Sequence, residues 1–396
     1  MRSLSGLALR GAALALLFLP ASLALGGQQK PPPAPKLPRP APLGRGDALE
    51  RDSATGELHK VPRRRPASGA APAIPDPATI RTRTTLVEVN CTVLVPGGAT
   101  LHGLAREDFR VFEDGAEQSI AHFGASSEPA SIALVVDASP SVFRELAEMR
   151  GAARSLAAAL APQDEVAVVA FAGQAHLLLP FSRDRALLER ALASPPLAQV
   201  ENSSLSNIYQ AVYLTARELF HDRSGRKAIV LLTDGQDSGL GLSWDPASAS
   251  PRSGVSASRL TFDDVARELA SVGIELYAIS TQTRPDSMTD AWLAAHRAEM
   301  LITPAAREQG MAHYTLYLAE LVRRAGGRLY FLREIGTLGD VYRRIAEALS
   351  TQYTLGYYPS AGLAHPGWRS LRVELTRPAP GARLIHRAAY YVPAWQ

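Results

Sequence analysis

The chain has 396 residues, 46% of them hydrophobic, with a formal net charge of +4 and a single cysteine. That length allows two or three domains with real cores, and one thiol excludes an internal disulfide framework and any cysteine-rich zinc site. The basic balance is local: residues 29–70 carry nine Lys or Arg against four Asp or Glu, and the remainder beyond the leader sits at about −3, which argues against a nucleic-acid-binding fold.

Residues 1–26 read as a signal peptide. Arg2 and Arg10 form the positive end, residues 11–25 the apolar core, and Ser22-Leu23-Ala24 or Ala24-Leu25-Gly26 a small-residue cleavage site. The core is too short to span a membrane comfortably, so the mature chain is expected to be secreted or periplasmic, with no integral span. Residues 27–80, dense in Pro, Ala, Arg and Gly, are expected to form a disordered linker. A β-rich flank follows over 81–126. Val87, Val89, Cys91, Val93 and Val95 alternate with Glu88, Asn90 and Thr92, predicting a half-buried strand with Cys91 in the core. Asp114-Gly115 predicts a hairpin turn.

The segment 127–351 alternates strands and helices. The apolar run 132–136 predicts a strand buried on both faces; it stops at Asp137, with Ser139, Pro140 and Ser141 next. Strands are predicted over 165–171, 176–181 (at the edge), 227–233, 274–279 and 328–332. Helices are predicted over 142–160, 184–193, 207–220, 262–272, 314–324 and 338–351. Residues 237–258 read as a long flexible loop, and 281–312 as an insertion larger than the crossover needs. This alternation predicts an α/β domain with a doubly wound, mainly parallel sheet. Residues 352–396 return to strand character and are expected to pair with 81–126, so that the α/β domain is inserted in a small β-sandwich formed by the N- and C-terminal flanks.

Asp137-Ala-Ser139-Pro-Ser141 at the end of a central strand resembles the metal-ion-dependent adhesion site of the von Willebrand factor type A family. Taken alone, the same residues also serve as a helix cap in a serine turn. Leu-Leu-Thr-Asp234-Gly is nearly the wording of the family's third loop. The second loop departs from pattern: Ser206 falls where relatives carry threonine, with Ser203 or Ser204 as possible substitutes. The stretch 107–123 looks like the β module that precedes the domain in exported von Willebrand A-related proteins of acidobacterial type.

The resemblance implies strand order 3-2-1-4-5-6, with Asp137 and Asp234 facing across the point where the winding reverses. It implies a metal set of Asp137, Ser139, Ser141, Ser206 and Asp234 holding Mg²⁺ (or Mn²⁺ or Ca²⁺), with one position open to an Asp or Glu carboxylate of a protein partner. Helix N-termini nearby are expected to favour that anion. Asp237 has two readings, an outer-shell water ligand or a loop cap. Enzyme signatures are missing: there is no His-Glu-x-x-His, phosphate loop or Gly-x-Ser-x-Gly elbow. The expectation is therefore a binding module, not an enzyme, with a metal-independent envelope scaffold as the alternative.

Overall fold

The computed structural model describes residues 37–38, 40–44, 48–51, 58–61, 86–125, 128–139, 154–192, 206–245, 250–252, 260–281, 313–332, 335–363, 365–377 and 379–393. The predicted leader, most of the predicted 281–312 insertion, Ser141 and the alternatives Ser203 and Ser204 lie outside them. In chain order the strands and helices are β1 (Ala41–Pro42), β2 (Ala48–Arg51), β3 (Leu58–Val61), β4 (Val87–Leu94), β5 (Phe109–Glu113), β6 (Ala116–Gln118), β7 (Ile120–Ala125), β8 (Ala130–Asp137), β9 (Glu165–Phe171), β10 (Ala175–Ser182), α1 (Arg185–Ala191) and α2 (Ile208–Leu219). There follow β11 (Arg226–Thr233), β12 (Ser243–Asp245), β13 (Ser250–Arg252), α3 (Phe262–Val272), β14 (Glu275–Ser280), α4 (His313–Ala325), β15 (Leu329–Phe331), α5 (Leu338–Ser350), β16 (Tyr353–Tyr357), β17 (Gly367–Leu375), β18 (Arg383–His386) and β19 (Ala389–Val392).

A seven-stranded sheet, β1-β10-β9-β8-β11-β14-β15, forms the centre. β9, β8, β11, β14 and β15 pair in parallel, and β10 and β1 are antiparallel at one edge. From β10 onward this is the 3-2-1-4-5-6 order. The central strands read as unbroken apolar runs because each of their faces has a core. Ile132, Leu134 and Val136 pack with α5 and α1; Ala133 and Val135 pack with α2, α3 and α4. Helix ends are fixed by local chemistry. Asp184 accepts the Ala186 and Leu187 N–H groups at the start of α1, and Thr261 with Asp264 forms a capping box on α3.

The flanks build the sandwich. One sheet is β18-β4-β16-β7, the other β19-β17-β5-β6, and their inner faces share a core that includes Val89, Cys91, Val111, Leu355 and Val373. Burial pushes the Cys91 thiol pKa far up, as befits a core residue. The β5–β6 turn has Asp114 at φ 47° and Gly115 at φ 85°, the left-handed pair a two-residue hairpin requires. The chain leaves the sandwich from β7 and returns as β16, and these two strands are paired, Ala125 opposite Tyr353.

Four expectations need correction. Within the predicted linker, Ala41–Pro42 adds to the β10 edge, opposite Leu177 and His176, while Leu37 and Leu43 pack on the two cores flanking the sheet. An edge position suits proline, which lacks the N–H an inner strand needs. β2 and β3 form a further antiparallel pair in the same segment. The predicted loop 237–258 contains the β12–β13 pair, and Leu240 in it is buried. The closing strand 383–392 divides: β18 bonds to β4 in one sheet and β19 to β17 in the other, with Arg387 between them anchored through Nη2 to the Glu88 carbonyl at 2.6 Å. Finally, the polar side of β4 is covered in part: Thr92 is buried and Asn90 hydrogen-bonds toward Glu275, while Glu88 stays exposed.

The sandwich meets the sheet at the amino ends of its parallel strands. There Glu275 Oε2 accepts hydrogen bonds from Tyr277 at 2.9 Å and from Gln352, between α5 and β16, at 2.6 Å. Arg226 donates to the Glu128 and Leu349 carbonyls and lies 3.8 Å from the Asp164 carboxylate. A cavity of about 480 Å³ lies at this junction, bordered by Glu88, Lys227, Glu275 and Arg387. Among the described residues, no helix is long and apolar enough to cross a membrane.

Candidate metal centre

β8 and β11 are neighbours, paired from Arg226 opposite Ala130 to Leu232 opposite Val136. Their carboxyl ends deliver Asp137 and, one residue past β11, Asp234 to the same end of the sheet, at the switch point where open α/β sheets hold ligands. Asp137 is fully buried, Ser139, Ser206 and Asp234 nearly so. The two strands are apolar up to these positions because they run through the core; the polar residues begin where the core ends.

Asp137 is the hub. Its Oδ1 accepts the Ser139 N–H at 3.0 Å, and the Ser139 side chain bonds to it as well. Its Oδ2 accepts from the hydroxyls of Ser206 at 3.1 Å and Thr233 at 2.8 Å. Asp234 accepts the Gln236 N–H at 2.9 Å, and the Gly235 N–H caps the Thr233 hydroxyl at 3.0 Å. Burial raises the Asp137 carboxyl pKa above the usual range, the bonds from Ser139 and Thr233 oppose that, and the nearby Asp234 charge adds to it. Neither aspartate forms an ion pair among the described residues.

The structure thus gathers Asp137, Ser139, Ser206 and Asp234, while Ser141 lies outside the described residues. Sequence reasoning did not single out Thr233, though its signal was present: a hydroxyl residue closing a buried apolar strand directly before the aspartate. Asp237 does cap its own loop, accepting the Gly239 and Leu240 N–H groups at 3.0 and 2.8 Å. Burial raises its carboxyl pKa, and the Ile208 and Tyr209 N–H groups at the start of α2 are among those that oppose the rise.

The donor set can be tested against a metal. It contains carboxylate and hydroxyl oxygens and no imidazole or thiolate, which suits a hard divalent cation and not a soft one. Among the described residues, no group of three or more His, Cys, Asp or Glu side chains gathers as for a metal. Hydroxyls and water must therefore complete any coordination shell here, the pattern of a cation that keeps part of its hydration.

Residues 132–236 match the family model of the von Willebrand factor type A domain, about a quarter of the chain, running from β8 to the residue two past Asp234. No curated protein gave a match. Similar solved structures include BatB, a conserved hypothetical protein from Bacteroides thetaiotaomicron, at 18% identity over 55% of this chain and 98% of that one, with a TM-score of 0.37. Another is proximal thread matrix protein 1 from the mussel byssus, described with a zinc-occupied MIDAS motif, at 16% identity, 58% and 49% coverage and a TM-score of 0.37. A von Willebrand factor type A protein from Catenulispora acidiphila matches at 13% identity, 72% and 73% coverage and a TM-score of 0.35. At such identities and scores these structures carry no functional argument, which rests on the residues themselves.

Proposed function

We propose that this chain is a protein-binding module whose α/β unit holds a divalent cation, Mg²⁺ or else Mn²⁺ or Ca²⁺, through Asp137, Ser139, Ser141, Ser206 and Asp234. The observation that carries this is a pair of carboxylates at one sheet end, both nearly sealed from water, ringed by hydroxyls and without a cationic partner among the described residues. Two like charges held so close favour a cation from solution. When bound, the cation supplies positive charge and a coordination position that an Asp or Glu carboxylate of a protein partner can take. Asp137 and Asp234 fix its place, and the hydroxyls of Ser139, Ser206 and Thr233 turn to suit it at little cost.

The leader sequence supports export of the mature chain to the periplasm or beyond, and the 107–123 module supports the acidobacterial-type subgroup. The lack of hydrolase and phosphotransfer motifs supports binding over catalysis. A metal-independent scaffold is the rival, favoured by the Ser206 hydroxyl, which already satisfies Asp137. Calorimetric titration of the full chain with MgCl₂ or MnCl₂ separates them. Uptake that Asp137→Ala abolishes supports the cation site; no uptake by the wild type leaves the scaffold.

A further inference from the structure

The second loop of the site is held in place by the residue after Ser206. Asn207 opens α2, where an asparagine ordinarily turns its side chain back to accept an N–H from the first turn of its own helix. It makes no such cap. Its Nδ2 instead donates to the Gly173 carbonyl at 2.7 Å, and its N–H to the Ala172 carbonyl at 3.1 Å, both in the turn between β9 and β10. The carbonyl just before these, at Phe171, accepts the Ala138 N–H of the first loop at 2.7 Å. Successive carbonyls of one turn thus carry the first and second loops side by side. The third loop closes over the same side chain: a Cβ at Gly239 would stand 2.8 Å from Asn207 Oδ1, and the Ser238 N–H donates to the Ser206 carbonyl at 2.7 Å.

From this geometry we infer that Asn207 is a positioning residue: its amide forgoes capping α2 to fix the second loop on the β9–β10 turn, and so holds the Ser206 hydroxyl beside Asp137. Ser206 Oγ stands 3.1 Å from Asp137 Oδ2, so both oxygens already share the place a cation would take. A loop free to drift would have to be ordered by the ion as it bound, whereas a loop fixed beforehand needs no such ordering. A local cap given up for a distant carbonyl is the kind of inconsistency that marks a site being held. The inference rests on the cation reading above for its consequence, but not for its geometry. Removal of outer-shell partners typically lowers metal affinity by roughly 10–100-fold.

The test uses the full chain with Asn207→Ala, Asn207→Ser and, as a control, Asp184→Ala, which removes the side-chain cap of α1, a helix that supplies no ligand. Two readouts are needed: Mg²⁺ affinity by calorimetry, and amide exchange of residues 206–209 and 238 in chelator-treated protein. Asn207→Ala is expected to weaken Mg²⁺ binding by roughly 10–100-fold and to speed exchange at those amides. Serine caps helices well but is too short to keep the bond to Gly173. Asn207→Ser should therefore hold thermal stability near that of the wild type and still lose Mg²⁺ affinity, which a merely structural role would not produce; it also serves if the alanine variant does not fold. Asp184→Ala should lower thermal stability and leave Mg²⁺ affinity unchanged. Wild-type affinity in both Asn207 variants, or unchanged exchange at Ser238, overturns the inference. If wild-type protein takes up no Mg²⁺, the cation reading fails, and exchange at Ser238 still decides whether Asn207 holds the loop.

Discussion

The two ends of the central sheet hold the same kind of group in opposite states. At the amino ends, the buried carboxylates of Asp164 and Glu275 have Arg226 beside them, and its guanidinium is held by the Glu128 and Leu349 carbonyls. Asp164 is further satisfied by the Ala130 and Ala161 N–H groups at 2.8 and 2.9 Å. At the carboxyl ends, Asp137 and Asp234 are as well sealed but find only hydroxyls and backbone N–H groups among the described residues. One end has its countercharge built into the fold; the other has none among the described residues. The lesson is that carboxylates equally buried differ in whether the fold supplies a countercharge, and only the unneutralised pair is a candidate for holding an ion.

Breaking the neutralised end should have the largest effect. Arg226→Met strands Asp164 and Glu275 without their cation and should cost about 3–5 kcal/mol of stability, read by urea denaturation. At the other end the sign reverses. Without divalent ions, Asp234→Asn should leave stability unchanged or raise it by up to about 1 kcal/mol, since it removes a repelling charge and keeps the acceptor for Gln236. Mg²⁺ at a hundred times its dissociation constant should stabilise the wild type by about 2.7 kcal/mol and this variant by nothing, read as a shift of the denaturation midpoint.

Glu275 sharpens the contrast through pH. Burial raises its folded-state pKa above the ordinary 4.5, against the bonds from Tyr277 and Gln352 and the Arg226 charge. The folded chain therefore holds this proton more tightly than the unfolded one. Its contribution to stability is fully present below about pH 4.5 and is lost as pH rises through the folded value. Glu275→Gln should flatten that part of the stability profile, with the amide oxygen taking over the two bonds of Oε2. The smallest effect serves as a control remote from both ends: Gly115→Ala, at φ 85°, should cost about 1 kcal/mol and leave Mg²⁺ affinity untouched.

Much of the α/β unit was legible because its strands are covered on both faces. The prediction for β9 coincides with the structure, and those for β8, β11 and β14 differ by a residue or two. The two aspartates stood out because each interrupts such a run. What escaped had no periodic signal. β1 is a two-residue strand whose apolar anchors, Leu37 and Leu43, flank it in a proline-rich stretch. The division of 383–392 depends on which neighbours the backbone meets, and alternation within ten residues does not encode that. Thr233 was passed over despite its signal, since threonine at a strand end needs no special explanation. Asp237 was readable as a loop cap, and the structure shows that cap on Gly239 and Leu240.

The pairing of Ala125 with Tyr353 joins residues more than two hundred apart. An unfolded chain attempting that pairing must close the whole intervening loop before any contact rewards it. Once β8 and α5 have docked in the α/β core, the same two strands start close together. The consequence is an order of assembly in which the inserted unit forms first and the surrounding sandwich condenses on it, so a lesion deep in the insert should first be felt as a sandwich that never closes.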